Sequence, residues 1–491
     1  MKYDRILLCI PPLVGSSARK QDYADLPEMP FTGIGYLAEF LGAHNIVVEV
    51  MDMKFGYSIE NLLEKIKIFK PDLVGFTVLT KGSKLVWNIL NKIKCAKYKL
   101  IVGGPHASVI RTKIFGQCSA IDYAIKLEGE YSLLELCKGK DESLINGLLY
   151  KTETGTITEN KDRPVIENLD DIPYPKYAQF EIQKYATKVI PIVSSRGCPY
   201  SCIFCSVKLT SGRKYRARSA ENVVDEIKYW YKRGFREFAF LDDNFTFIPE
   251  RVYKFCSLVK KEKLENLKLS CPNGVRADRV DLPLLTEMKN AGFYRLCFGV
   301  ESGNETVLKL IKKSESILSI EKAIKIACDL NYDVGLFFIV GLPGETLAAL
   351  NDSIKLAKKY PINFARFYNI VPYLGTELYE WAAERKYLIK DIDEKLNDAA
   401  YHEDTIFYET PDFTVVQRKE ALRRTKALNK EILKKSFSRR ISKNKKVGEL
   451  LAEIVYFEPI YSLLKKSYQQ KMSRKLIEFV RKTLYKDVYH L

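Results

Sequence analysis

Two series of short apolar strands that alternate with amphipathic helices restrict the fold of this chain more than any other feature. In the first series the pattern predicts strands at residues 5–10, 46–51, 73–78, 100–103 and 122–125, and helices at 33–41, 62–69 and 85–93. Strands that alternate with helices are typical of a parallel sheet covered on both faces. We therefore predict an α/β fold that begins with a doubly wound, Rossmann-like domain over residues 1–150.

A second series follows a segment that lacks this alternation. Residues 151–188 contain Pro164, Pro173 and Pro175 among polar residues, which is typical of a linker between domains. Beyond it the pattern predicts strands at 189–194, 237–241, 268–271, 295–300, 335–340 and 366–370, and helices at 220–233, 249–262, 281–291, 317–330 and 346–360. Six such units predict a partial, open (β/α)6 barrel over residues 189–390, followed by a mainly helical, basic region over residues 391–491.

Length and charge narrow the class of protein. A chain of 491 residues is longer than one hydrophobic core supports, so two or three domains are expected. The net charge is +18, and residues 411–491 alone carry 21 Lys and Arg against 8 Asp and Glu. No recognition motif or interleaved aromatic residues accompany this charge, which argues against nucleic-acid binding. The apolar stretches are shorter than a bilayer span and no leader pattern opens the chain, so a cytoplasmic protein is expected.

The most informative local feature is a group of three cysteines, Cys198, Cys202 and Cys205, directly after the predicted strand at 189–194. Loops at the carboxyl ends of barrel strands carry the chemistry of such folds. Three thiolates are one short of the ligands of a four-iron cluster, so one iron stays open for a substrate or cofactor. The other cysteines are scattered, which argues against a disulfide framework. The alternatives are structural cysteines or a zinc site completed by a distant histidine, although none of the four histidines lies near the loop.

The segment from Ser195 to Cys205, SRGCPYSCIFC, closely resembles the cluster-binding loop of the radical S-adenosylmethionine (SAM) superfamily. The resemblance implies a [4Fe–4S] cluster on the three cysteines, with SAM chelating the open iron through its amino and carboxylate groups. An electron from a donor such as flavodoxin or ferredoxin then cleaves SAM to methionine and a 5′-deoxyadenosyl radical. The protein positions and shields these cofactors.

The resemblance also implies contacts with SAM. Phe204 matches an aromatic position beside the adenine, with a core position as the alternative. Asp242, Asp243 and Asn244 follow a predicted strand. One of the two adjacent carboxylates is expected to meet the SAM ammonium or a substrate donor, with the choice between them open, and Asp243 and Asn244 are assigned to SAM binding. The family often has two glycines and a glutamate there, so this sequence departs from the pattern, and a helix N-cap at Asn244 is the alternative. Arg276 is expected to face the SAM carboxylate, with a surface arginine as the alternative.

Two further motifs follow later strands in the order that the family shows. Glu301 and Ser302, within Gly-Val-Glu-Ser-Gly, are implied to approach the ribose hydroxyls of SAM. Gly341 and Pro343, within Gly-Leu-Pro-Gly-Glu-Thr, match the later loop that closes over the adenine. Isolated glycine motifs are weak evidence, but their order after the cysteines strengthens the resemblance.

The first domain resembles the cobalamin-binding domain that precedes the barrel in one large subfamily, and the resemblance covers most of residues 1–390. It implies cobalamin contacts from Thr77, Gly103, Gly104 and His106, since glycines let the backbone approach a large flat ligand. A structural role is the alternative for His106. The loop after the first strand, Pro-Pro-Leu-Val-Gly, offers no lower histidine ligand for cobalt. A domain that has lost its ligand and serves as a packing lid is therefore the other interpretation.

The basic region contains an apolar stretch at residues 450–464 that is bordered by pairs of Lys and Arg. This pattern is typical of an amphipathic segment on an anionic membrane surface. A helical cap on the barrel with a basic solvated face explains the same residues.

Taken together, the sequence predicts an enzyme, a cobalamin-dependent radical SAM methylase that acts on an unactivated carbon, with no catalytic side chain assigned. A non-methylating oxidative cyclase or carbon–carbon coupling enzyme uses the same cofactors, and no residue pattern separates the two. The expected substrate is a small molecule, and the basic region favours a lipid or isoprenoid-like one with peripheral membrane contact. A non-catalytic iron–sulfur or cobalamin carrier or sensor is the rival from another class.

Overall fold

The computed structural model describes residues 2–12, 27–392, 394, 404–442 and 444–456. Its strands are β1 (Arg5–Ile10), β2 (Val47–Asp52), β3 (Leu73–Thr77), β4 (Lys99–Gly103), β5 (Tyr123–Ile125), β6 (Leu148–Lys151), β7 (Ile157–Glu159), β8 (Val189–Ile192), β9 (Ser195–Arg196), β10 (Arg216–Ala217), β11 (Glu237–Phe240), β12 (Lys268–Val275), β13 (Phe293–Glu301), β14 (Asp333–Val340) and β15 (Phe364–Asn369).

The helices lie between and after these strands. They are α1 (Thr32–Ala43), α2 (Ile59–Phe69), α3 (Ser83–Ile93), α4 (Pro105–Ile110), α5 (Ile114–Gln117), α6 (Glu130–Cys137), α7 (Val207–Thr210), α8 (Ala220–Tyr231), α9 (Pro249–Lys261), α10 (Leu282–Asn290), α11 (Glu305–Leu310), α12 (Ile317–Asp329), α13 (Leu347–Lys359), α14 (Glu377–Glu384), α15 (Val415–Ile441) and α16 (Lys445–Val455).

The N-terminal sheet has seven strands in the order β2-β1-β3-β4-β5-β6-β7. Its first five strands run parallel, and β6 and β7 join them antiparallel. Because β1 and β3 are buried throughout most of their length, they read as continuous apolar runs in the sequence. After β2 the chain crosses over to form β3 on the other side of β1, so the strand order reverses between β1 and β3. In doubly wound folds, ligands bind at the carboxyl ends of the strands near such a reversal.

The second sheet has six parallel strands in chain order, from β8 through β11, β12, β13 and β14 to β15. Strands β8 and β15 do not pair with each other, so the barrel is open. The long helix α15 packs along β15, and the Asn429 side chain accepts a hydrogen bond from the backbone N–H of Ala365 at 3.1 Å. This bond satisfies an edge N–H that no neighbouring strand pairs with.

The predicted α/β fold, with a Rossmann-like sheet, a partial barrel and a helical C-terminal region, is confirmed. Most predicted strand limits lie within two residues of the observed ones, whereas β12 continues four residues beyond its predicted end. The segment predicted as a linker supplies β7, which extends the N-terminal sheet past residue 150. Strand β7 was missed because it is three residues long and has no buried position.

The C-terminal region caps the barrel as far as the structure describes it. Helix α15 buries ten residues, including Leu428, Ile432 and Phe437, against the barrel and the helix that follows. Helix α16 packs on α15 through Gly448 and Ala452. The predicted apolar stretch at 450–464 lies only partly within the description, because residues 457–491 are outside it. Among the described residues, no helix combines the length and apolar character needed to cross a bilayer.

Candidate active site

The three cysteines lie on a loop that a short antiparallel ribbon closes at its base. Strands β9 and β10 pair with Arg196 opposite Arg216 and Ser195 opposite Ala217. Gly197 adopts φ +82°, and a Cβ there would collide with the carbonyl oxygen of Lys214. Only glycine fits this position, so the turn into Cys198 is fixed by the sequence.

Burial raises the pKa of all three thiols, to about 11 for Cys205. Thiols in such surroundings are neutral unless a metal supplies the charge that stabilises the thiolate. No group of three or more His, Cys, Asp or Glu side chains in the described ranges is arranged to hold a metal ion. In a four-iron cluster each thiolate binds a different iron, so the cysteines need not gather around one ion. Three thiols are the type of donor that such a cluster requires.

Beside the cysteines lies a buried group of charges that begins with Glu301 at the end of β13. Glu301 has a left-handed backbone, φ +64°, which a non-glycine residue adopts at a cost of about 1 kcal/mol or more. The Lys313 ammonium lies 3.0 Å from the Glu301 carboxylate and 3.3 Å from that of Glu315. These carboxylates raise the pKa of Lys313 against the opposing effect of its burial, and Cys202 also contributes. Glu301 therefore lies near the cluster loop with its charge balanced by Lys313, and its contact with the SAM ribose stays a prediction.

Arg276 supports the loop instead of presenting an open guanidinium. Its guanidinium stacks 3.5 Å from the ring centroid of Tyr200, which lies between Cys198 and Cys202. It also donates to the Asp278 carboxylate at 2.9 Å and to the backbone carbonyls of Lys313 and Ser314. With most of its donors engaged, Arg276 has a structural role here, and its predicted contact with the SAM carboxylate gains no support from the geometry.

Polar atoms without hydrogen-bond partners collect at the carboxyl end of β11. Asp242 accepts from Ser194 at 3.0 Å and from Ser195, while its second oxygen has no partner in the part of the chain that the structure describes. Both amide atoms of Asn244 and the Thr246 hydroxyl are also buried without a partner among the described residues. Because buried polar groups are nearly always paired, this end of β11 fits a bound polar ligand. Asn244 is not an N-cap, since α9 begins after Ile248.

The other residues predicted to contact SAM lie around the same end of the barrel. Phe204 is half-buried against the main core, which leaves both of its interpretations open. Ser302 is fully buried, and its hydroxyl accepts from the backbone N–H of Asn304 at 3.2 Å. Gly341 and Pro343 are buried in the loop after β14. All of these positions stay predictions with respect to SAM itself.

A cleft lies between the barrel and the N-terminal domain. Its empty space is about 1440 Å³, open solvent at the mouth included. Thr77, Gly103 and Gly104 line one side at the ends of β3 and β4, while Arg196 and Asp243 line the other after β8 and β11. Asp243 also acts electrostatically on Cys198 and Cys205. The carboxyl edges of both sheets thus border one cleft that reaches the cluster loop.

The wall formed by the N-terminal domain fits a large flat ligand. Gly33, Gly75, Gly103 and Gly104 all line it, and of these Gly103 leaves the space beside its backbone open. A Cβ on Gly103 would meet only the Ile125 carbonyl oxygen, at 3.7 Å, and would otherwise point into open space. This open backbone suits the close approach of a corrin-sized group.

His106 does not line this wall, so its predicted cobalamin contact gains no support from the geometry. The ring is fully buried, with one nitrogen 3.2 Å from the Thr80 hydroxyl and the other 2.9 Å from the Gln117 side-chain oxygen. It also packs against Trp87. Both nitrogens are engaged within the protein, so His106 has the structural role that its glycine turn also favoured.

One cluster that sequence reasoning missed joins the two domains at the cleft. Glu128 follows β5 and accepts from Arg196 at 3.0 Å and from Arg216 at 2.8 Å, across the ribbon that closes the cysteine loop. Glu130 accepts from Arg196 at 2.7 Å. Although burial alone would raise the pKa of Glu128, the two arginines and the Ile166 N–H lower it. No local sequence pattern predicts this contact, because its partners lie more than 60 residues apart in sequence.

We expect Glu128→Gln to lower the free energy of unfolding by about 3 kcal/mol, since it leaves two nearly buried arginines without their shared carboxylate. Urea unfolding of purified protein measures this loss. Glu167→Gln is the matched control, because Glu167 pairs with Lys214 on the exposed surface. Equal stability of the two variants would contradict a structural role for the Glu128 cluster.

Glu345, in the loop after β14, gives a pH-dependent prediction. Burial raises its pKa from 4.5 to about 7, against the backbone N–H groups of Gly341 and Leu342 and the Arg418 charge. Between pH 4.5 and about 7 the folded state therefore keeps a proton on Glu345 that the unfolded state has lost. This proton stabilises the folded state, and the stabilisation is lost as the pH rises through about 7. From about pH 5 to pH 8 the free energy of unfolding of the wild type should fall by on the order of 3 kcal/mol relative to that of Glu345→Gln. A constant stability difference across that range, measured by urea unfolding, would contradict it.

Comparison with known proteins agrees with this site. Residues 192–357 match the radical SAM superfamily, and residues 27–137 match the B12 binding domain. A Pyrococcus horikoshii protein named uncharacterized methyltransferase PH0819 is 31% identical over 399 residues, which are 79% of this chain and 85% of that protein. An anaerobic magnesium-protoporphyrin IX monomethyl ester cyclase from Rubrivivax gelatinosus is 28% identical, over 72% of this chain and 66% of the cyclase.

Among solved structures, the cobalamin-dependent SAM radical enzyme OxsB, with aqua-cobalamin and SAM bound, aligns with a TM-score of 0.72 and 18% identity. The alignment covers 95% of this chain and 71% of OxsB, and it supports the fold. The two matched domains and the Pyrococcus relative support the predicted cofactors, a [4Fe–4S] cluster, SAM and cobalamin. The chain is therefore an enzyme of the radical SAM superfamily, in the branch that carries an N-terminal B12-binding domain.

Proposed function

We propose that this enzyme transfers a methyl group from SAM, by way of cobalamin, to an unactivated carbon of a small-molecule substrate. The observation that supports this most is the cleft that both carboxyl edges share, because it brings a corrin-sized space next to the cysteine loop. When bound, the cluster and SAM supply a radical that removes a hydrogen atom from the substrate, and cobalamin carries the methyl group. A reduced flavodoxin or ferredoxin is the proposed electron donor.

The residues of this chain bind, position and shield these groups. Cys198, Cys202 and Cys205 are proposed to hold the cluster. The unpartnered atoms of Asn244 support a SAM contact there, and Asp243 faces the cleft, where burial and the neighbouring Asp242 raise its pKa to about 6. Phe204, Glu301, Ser302, Gly341 and Pro343 surround the remaining side of the proposed SAM site. Thr77, Gly103 and Gly104 are proposed to contact cobalamin.

The test uses anaerobic, cluster-reconstituted protein with SAM, hydroxocobalamin, a strong reductant and a panel of candidate substrates, so that every methyl group comes from SAM. Methyl transfer through cobalamin predicts that S-adenosylhomocysteine and 5′-deoxyadenosine form together, and that methylated product appears. If 5′-deoxyadenosine forms without S-adenosylhomocysteine, the cyclase or coupling activity replaces methylation, as the Rubrivivax relative's name suggests. If neither forms while the cluster is intact, a carrier or sensor replaces both.

We also propose peripheral contact with an anionic membrane, which favours a lipid or isoprenoid-like substrate. On α16, Val447, Leu450 and Ile454 are exposed, and Lys445 and Lys446 stand at the start of the same helix. Apolar side chains beside lysines are typical of helices that lie in the headgroup region. Leu450→Glu combined with Ile454→Glu should reduce sedimentation with phosphatidylserine vesicles. Leu144→Glu, at an equally exposed leucine of the other domain, is the control. Unchanged sedimentation would remove this proposal.

A further inference from the structure

We propose that Arg418 and Tyr408, from the C-terminal region, position the loop after β14 and thereby set the affinity for SAM. This rests on the proposed function in one respect, that the loop from Gly341 to Gly344 contacts SAM. Both residues lie beyond the segment that matches the radical SAM superfamily, which ends at residue 357. Neither was singled out by any motif in the sequence.

Three side chains fix Gly341 from three directions. Its N–H donates to the Glu345 carboxylate at 2.5 Å, and its carbonyl oxygen accepts from the Tyr408 hydroxyl. Gly341 has φ +97°, and a Cβ there would collide with the guanidinium of Arg418. The loop backbone is therefore held on both of its polar groups and packed against an arginine where a side chain would otherwise project.

Burying the charged Arg418 side chain costs free energy unless its guanidinium makes hydrogen bonds and fits the surrounding space. Its side chain is 1% exposed, and burial lowers its pKa. It donates to the backbone carbonyls of Tyr408 and Val340 and to the Asn369 side chain, and its guanidinium lies 4.8 Å from the Tyr408 ring centroid. All these partners are neutral, so an apolar residue of similar volume would meet a packing requirement at lower cost. The arginine ties the ends of β14 and β15 to the segment that carries Tyr408.

The position of this group is set by how α15 docks on the barrel. Asn429 bonds to the edge of β15 eleven residues further along the same helix. Two atoms of the group, Arg418 Nε and one oxygen of Glu345, are buried without a hydrogen-bond partner among the described residues. The C-terminal region thus completes the wall of the barrel and reaches the loop that is proposed to cover SAM.

The test compares Tyr408→Phe and Arg418→Met with Arg423→Met, which changes an exposed arginine on the same helix that pairs with Glu420. For each cluster-loaded protein, SAM binding is measured by equilibrium dialysis and by the change that SAM causes in the EPR spectrum of the reduced cluster. Iron content, bound cobalamin and the melting temperature are recorded beside them. Tyr408→Phe removes one hydroxyl and keeps the ring, so it gives a result even if Arg418→Met does not fold.

We expect Tyr408→Phe to raise the Kd for SAM about tenfold, the effect of one lost buried hydrogen bond, with iron and cobalamin content unchanged. The KM for SAM should rise in parallel, while kcat for 5′-deoxyadenosine at saturating SAM stays within about twofold. Arg423→Met should match the wild type. A wild-type Kd in Tyr408→Phe, or a loss of kcat at unchanged Kd, would overturn the inference. Failure of the wild type itself to bind SAM would instead overturn the proposed function.

Discussion

Replacing Cys202 by alanine is expected to abolish the [4Fe–4S] cluster and to reduce 5′-deoxyadenosine formation by about a thousandfold or more, because two cysteines do not hold a four-iron cluster. Iron and sulfide content and the absorbance of anaerobically reconstituted protein measure the first effect, and product quantification measures the second. The fold should survive, since Cys202 is only half-buried on a loop.

Cys328→Ala provides the matched control. Cys328 is also half-buried but lies on α12, away from the loop. This variant should keep full iron content and activity. A Cys202→Ala protein that retained the cluster, or a Cys328→Ala protein that lost it, would show that different cysteines bind the metal.

Gly103→Leu is expected to prevent cobalamin binding with little loss of stability. The Cβ of residue 103 has no close contact and points into the cleft, so a leucine side chain would occupy the space of the cofactor without straining the backbone. We expect bound cobalamin to fall at least tenfold, the effect of roughly 1.4 kcal/mol in binding free energy. S-adenosylhomocysteine formation should fall with it, whereas the iron content should not change.

The control for this variant is Gly116→Leu, at a glycine whose Cβ would meet nothing within 4 Å and which does not line the cleft. Both proteins should show similar melting temperatures. Cobalamin bound to Gly103→Leu at the wild-type stoichiometry would show that the corrin does not occupy this wall.

The sequence predicted the features of this molecule that local patterns encode. Buried strands such as β1 and β3 appear as apolar runs, and the cysteine spacing together with Gly197 marks a loop that has one workable conformation. The positions of Thr77, Gly103 and Gly104 follow from the rule that glycine-rich turns end the strands of ligand-binding α/β sheets.

What the sequence did not reveal depends on contacts between distant segments. The Glu128 cluster joins residues more than 60 positions apart, and Tyr408 reaches Gly341 across 67 positions. From the sequence alone, a charged residue such as Glu128 is expected on the surface, because the neighbouring residues in the sequence do not indicate that a distant partner buries it. The predicted cobalamin contact of His106 lacks support for a related reason, because its partners Thr80 and Gln117 engage both ring nitrogens.

EPR of protein that holds both cofactors tests most directly the proposal that the cluster and cobalamin lie on opposite sides of one cleft. In protein loaded with cob(II)alamin and a reduced cluster, both centres are paramagnetic. The structure predicts that their signals broaden or split through mutual coupling and that Gly103→Leu removes this effect together with the cobalamin. Two superimposed, unperturbed spectra from a protein with full occupancy of both cofactors would contradict the shared cleft.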